Sequence, residues 1–82
     1  MKKEFIVNLN QIDNLKSFLY EMTYHIASNV DAKFEHQIVD AKSLLGLLSI
    51  SSHPITVTIQ SDDMSEIAYF TDVCERYEIK EG

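Results

Sequence analysis

Cysteine is nearly missing from this 82-residue chain, with Cys74 standing alone. A single thiol excludes an internal disulfide and a cysteine-based zinc site. Long apolar runs are also lacking, and none approaches the roughly 20 residues that a membrane span needs. Basic residues are few, seven Lys and Arg against 13 Asp and Glu, for a net charge of −6. Binding to a nucleic-acid backbone needs clustered cations, so this balance points away from nucleic acid. There is no internal repeat, low-complexity tract or linker, and one domain spanning 1–82 is the expectation. The chain opens Met-Lys-Lys-Glu-Phe, with an acid where a secretory signal would need its apolar stretch. The expected setting is the cytoplasm, with no membrane contact.

What the chain does have is a dense apolar run at its middle, Ala41-Lys42-Ser43-Leu44-Leu45-Gly46-Leu47-Leu48-Ser49-Ile50. Lys-Ser before the leucines reads as a helix start, because a serine hydroxyl at the N-cap accepts a hydrogen bond from a free amide of the first turn. Spacing then groups Leu44, Leu47 and Ile50 on one face, turned toward the protein. Leu45 and Leu48 fall on a second stripe, rotated by about 100°. They are expected to be exposed and to form a contact surface.

Around this run the pattern alternates between strand and helix. Residues 4–9 place Phe5, Val7 and Leu9 on one side, with Glu4, Ile6 and Asn8 on the other, a half-buried strand. The next residues, 10–14, form a loop in which Asp13 is expected to cap a helix. Leu15, Phe18, Leu19, Met22 and Ile26 recur at helical spacing, giving a helix over about 14–25. Residues 28–34 alternate again, with Val30, Ala32 and Phe34 inward. Glu35-His36 is a tight turn into a short strand over 37–40, and the leucine helix follows. Pro54 stands at a strand start, where its missing donor is tolerated. Ile55, Val57 and Ile59 then alternate with Thr56, Thr58 and Gln60. Ser61-Asp62-Asp63 supplies a cap and favourable charge for a last helix, marked by Met64, Ile67, Ala68, Thr71, Cys74 and Tyr77. The tail over 78–82 is polar and expected to fray. The order β-α-β-β-α-β-α predicts an α+β two-layer sandwich, a four-stranded antiparallel sheet with three helices on one face and water on the other.

Isolated reactive groups carry little. His25, His36 and His53 share no metal-ligand spacing and read as surface or turn residues. Cys74 sits at core spacing as a small hydrophobe. Asp62 and Asp63 read as helix-start charges, since no third oxygen ligand follows at calcium-loop spacing. Tyr20, Tyr24, Tyr69 and Tyr77 are half-buried or present hydroxyls at an interface. No metal or cofactor is expected.

A strand, then Ala41-Lys42-Ser43, a short apolar helix containing Gly46 and a strand reading Ile55-Thr56-Val57-Thr58-Ile59 together resemble the phosphocarrier protein HPr of the bacterial sugar phosphotransferase system. The likeness runs most closely from residue 28 to 59, and the element order agrees at both ends. It implies a phosphoryl-accepting histidine at the start of the first helix, followed closely by an arginine. Helix-start amides and that arginine would stabilise the transferred charge. Here the segment reads Gln11-Ile12-Asp13-Asn14-Leu15-Lys16. The histidine position holds Asp13 or Ile12, depending on a one-residue register choice, and the arginine position holds Leu15 or Asn14. His25 lies at the far end of the helix. Histidine phosphoryl transfer by that mechanism is therefore not expected.

The resemblance further implies a regulatory phosphorylation at Ser43 and a docking face at the leucine helix and the start of the first helix. Leu45, Leu48, Lys16 and Gly46 are its partner-binding candidates. The expectation is a non-catalytic binding or regulatory module with a protein partner. The alternatives are a working phosphocarrier that accepts phosphate on Ser43, from an HPr kinase, or on Asp13, and a plain structural module of a larger complex.

Overall fold

Alternation in the strands and helical periodicity between them build one sheet with a single covered face. The computed structural model describes residues 2–79. In chain order it contains β1 (Glu4–Val7), α1 (Ile12–His25), β2 (Val30–Phe34), β3 (Gln37–Asp40), α2 (Leu44–Ile50), β4 (Ile55–Ile59) and α3 (Met64–Glu75). The strands form a four-stranded sheet in the order β1-β4-β2-β3, and every pairing is antiparallel. This is the expected α+β sandwich.

Period-two alternation decides which side chains enter the core. Phe5, Val7, Val30, Ala32, Ile55, Val57 and Ile59 are buried beneath the helices, joined by Leu15, Phe18 and Met22 of α1 and Leu47 and Ile50 of α2. Glu4, Ile6, Lys33, Ile38, Thr56 and Thr58 point to the opposite, open face. Phe5 meets Phe70 of α3 edge to face, with ring centroids 5.8 Å apart, a favoured aromatic geometry.

Several boundaries differ from expectation. Strand β1 stops at Val7, yet burial goes on alternating past it, with Asn8 exposed and Leu9 buried. Helix α1 begins two residues early, at Ile12. Its N-cap is Gln11, which makes no side-chain cap bond, so Asp13 does not cap the helix. As the second helical residue, Asp13 instead places its charge beside the positive end of the helix dipole. In α3 the buried face is Ile67, Phe70, Val73 and Cys74, while Met64 and Ala68 are exposed. Met64 is the first residue of the helix, and the packed stripe runs through Phe70 and Val73 instead. The helix closes at Glu75, two residues before the expected end. Tyr77 follows it, half-buried, with its ring edge-on to Phe18 at 6.1 Å.

The tail is ordered as far as it is described. The Asn8 amide donates to the Tyr77 carbonyl and the Ile79 amide to the Ile6 carbonyl, both at 3.0 Å, with a bridge between Val7 and Glu78. The outer edge of β1 is thereby covered. Residues 80–82 of the expected frayed tail lie outside the described residues. Among the described residues, no helix is long and apolar enough to cross a membrane.

Candidate functional site

The leucine helix is set by two short turns of hydrogen bonding. Asp40 Oδ1 accepts from the Lys42 amide at 2.8 Å, and the Asp40 carbonyl accepts from the Ser43 amide at 3.0 Å. Ser43 then caps α2 as its sequence predicts, its hydroxyl oxygen accepting from the Gly46 amide at 3.1 Å. Gly46 faces β3 rather than solvent. A Cβ there would stand 3.1 Å from the Val39 Cβ and 3.3 Å from Ser43, so glycine lets the helix lie close on the strand.

The four leucines do not divide as their spacing suggests. Leu47 and Ile50 are fully buried, and Leu45 and Leu48 are exposed at 79% and 43%. Leu44, expected on the buried face, is 41% exposed. A three-residue step turns a helix through about 300°, so each step falls about 60° short of a full turn. Residues 44, 47 and 50 thus fan across about 120°. Burial of Ser51 together with Ile50 centres the packed face toward the end of the helix and lifts Leu44 out. Leu44 and Leu48, four residues apart, sit on the flank toward α1, with Leu45 at the crest between that flank and Ser49.

Helix α1 completes the face. Lys16, Leu19, Tyr20, Thr23 and Tyr24 line a groove together with Lys42 and Leu44. Lys16 of the predicted set lines the same groove as Leu44. Lys42 Nζ donates to the carbonyl of Ile26 at 2.6 Å, placing a cation at the negative end of α1. Tyr20 and Tyr24 are largely exposed and lie against each other, with centroids 4.8 Å apart. Ile12 and Asp13, the residues at the lost histidine position, are exposed at the start of the same helix.

The remaining reactive groups are spread over the fold. His25 closes α1 and lies 3.5 Å from Glu21 Oε1, one turn earlier. His53 stacks flat on Phe34 with centroids 4.4 Å apart, and His36 is exposed in the turn between β2 and β3. Burial pushes the Cys74 thiol far above its ordinary value, so it is held protonated. Among the described residues, no three His, Cys, Asp or Glu side chains gather as a metal site would require.

Two polar networks tie separate elements of the fold together. Glu66, in the first turn of α3, accepts from the Ala27 amide at 2.7 Å and from the Ser28 hydroxyl at 2.5 Å. It also accepts from the Ser61 hydroxyl at 2.9 Å. These donors, led by the Ser28 hydroxyl, hold its carboxyl down at about 2. Glu21 receives the Tyr69 hydroxyl at 2.9 Å and Arg76 Nη1 at 3.3 Å, and Arg76 Nη2 also reaches Asp72 at 3.1 Å. The signal for the first network is a glutamate three residues after a cap, which usually reaches back to that cap.

The chain matches no protein-family model, no curated protein and no solved structure at a level that indicates kinship. Fold and site together define a small open-faced α+β sandwich whose central helix presents three leucines beside a lysine- and tyrosine-lined groove.

Proposed function

We propose that this chain is an HPr-like domain without the phosphoryl-accepting histidine, serving as a non-catalytic binding or regulatory module in the cytoplasm. In this reading it docks a protein partner through α2 and the neighbouring face of α1, in the setting of bacterial sugar-transport regulation. The element order and the Ala-Lys-Ser start of α2 support the resemblance. The observation that carries the docking role is the exposure of Leu45, flanked by Leu44 and Leu48 on a seven-residue helix. Burying such a leucine is worth roughly 1.5–3 kcal/mol, and a partner recovers part of that.

A second reading takes Ser43 as a phosphorylation site. Its hydroxyl stands at the N-terminal turn of α2, where added negative charge is favoured by the dipole and free amides.

Intact-mass measurement after two incubations tests both. With phosphoenolpyruvate and enzyme I, no phosphorylated species is expected; a phosphoryl adduct mapped to His25 or Asp13 overturns the non-catalytic reading. With ATP and an HPr kinase, a phosphoryl group mapped to Ser43 establishes the second.

A further inference from the structure

Among the described residues, the sheet has one covered edge and one open edge. Residues 77–79 run along β1, as described above, whereas β3 is the last strand at the other side. In β3 the residues that face inward along the ladder are fixed by its turn. Phe34 pairs with Gln37 across the two-residue loop, and residues flanking such a loop form a hydrogen-bonded pair. The Ala41 amide also donates to the Val30 carbonyl at 2.9 Å. Residues 37, 39 and 41 therefore spend their backbone groups on β2, and Ile38 and Asp40 direct theirs outward. The Asp40 carbonyl is taken by Ser43. The Ile38 amide, the Ile38 carbonyl and the Asp40 amide are left at the edge.

Of the devices that prevent strand pairing, this edge has its shortness, four residues, and the charge of Asp40 at its end. It has no proline, no lysine and no bulge. Ile38 is 62% exposed on the open face. Asp40 stands directly opposite Asp31 in the β2–β3 ladder, and each carboxylate has one donor within the chain, the Lys42 amide on Asp40 Oδ1 at 2.8 Å and Gln60 Nε2 on Asp31 Oδ2 at 3.0 Å.

We infer that the β3 edge pairs with the β3 edge of a second copy of this chain, antiparallel, in the register that sets Ile38 opposite Ile38. That register is self-complementary. The two isoleucines exchange amide and carbonyl across the two-fold axis, and their side chains meet on the open face. Val39 of each copy faces Gln37 of the other on the covered side. Asp40 comes opposite His36 of the second copy, so its outward amide reaches the His36 carbonyl and its second carboxylate oxygen gains an imidazole donor. Shifting the axis to Val39 would instead set each Ile38 against an Asp40. The product is a continuous eight-stranded sheet, with the α1–α2 groove of each copy still open at its flank.

Sedimentation velocity over a concentration series tests this, with Ile38→Lys as the disrupting variant and circular dichroism to verify its fold. The wild type is expected to shift toward a dimer with concentration and the folded variant to stay monomeric. Geometry is tested by Ile38→Cys under mild oxidation. Hydrogen-bonded antiparallel partners have Cα atoms about 5.5 Å apart, within disulfide reach, and Cys74 is buried. The variant should give a covalent dimer, whereas Ile6→Cys, on the same face at the far side of the sheet, should not. A wild type that remains monomeric at every concentration, or equal cross-linking from positions 38 and 6, overturns the inference.

Discussion

Glu66 grips Ser28 twice: its Oε1 takes the serine hydroxyl at 2.5 Å and its Oε2 takes the serine amide at 3.2 Å. These bonds tie the start of α3 to the connection between α1 and β2, two parts of the chain 38 residues apart. The carboxylate form makes all of them. The carboxyl titrates near 2 in the fold against an ordinary 4.5. A depressed carboxyl contributes stability that is present above its unfolded value and is lost as pH falls through the folded one. Stability should therefore decline between about pH 4.5 and 2, and Glu66→Gln should flatten that part of the acid limb. Thermal melts of both proteins across this range measure the difference.

Ser43→Ala should cost roughly 1 kcal/mol, the usual worth of an N-cap hydroxyl, because its bond to the Gly46 amide is lost. Urea midpoints read this directly. An unchanged midpoint would mean that the bond contributes nothing to α2.

Glu35 adopts φ 55° in the two-residue turn between β2 and β3. Side chains with a Cβ are strained in that region by roughly 1–2 kcal/mol, and glycine is not. Part of the gain is lost to the greater chain entropy of glycine when unfolded. Glu35→Gly should thus stabilise the domain by about 0.5–1 kcal/mol, seen as a raised urea midpoint with an unchanged slope.

Leu47 and Leu48 are neighbours with opposite expectations. Leu47→Ala removes a fully buried side chain and should cost about 2–5 kcal/mol. Leu48→Ala should fall within about 0.5 kcal/mol of wild type, as surface changes usually do. Paired denaturation curves give both numbers.

Much of the architecture was readable because strands announce themselves through alternation. Ile55, Val57 and Ile59 are buried and Thr56 and Thr58 are not, as their spacing demands. Helix faces were less legible. In α3, Ile67 and Cys74 fit two overlapping stripes, one through Met64 and Ala68 and one through Phe70 and Val73. Only the position of the sheet beneath decides between them. Leu44 was misplaced for a related reason, the drift that accumulates over three-residue steps. Asp13 was expected as a cap on residue type alone, but the helix begins before it. Of the Glu66 clamp only the nearby Ser61 is within local reach, whereas Ala27 and Ser28 are distant in sequence. At the candidate site, Ser43 as cap and the exposure of Leu45 and Leu48 follow from local spacing. The groove joining Lys16, Tyr20 and Tyr24 to Leu44 needed the packing of α1 against α2.

The docking role of the leucine face is tested most directly by comparing wild type with Leu45→Asp/Leu48→Asp as immobilised bait in a native lysate. Circular dichroism melts of the two proteins establish whether the fold is shared. The account predicts matching melts, with a specific partner retained by wild type and lost by the double variant. Equal retention of the same partner by both proteins, or unfolding of the variant, would contradict it.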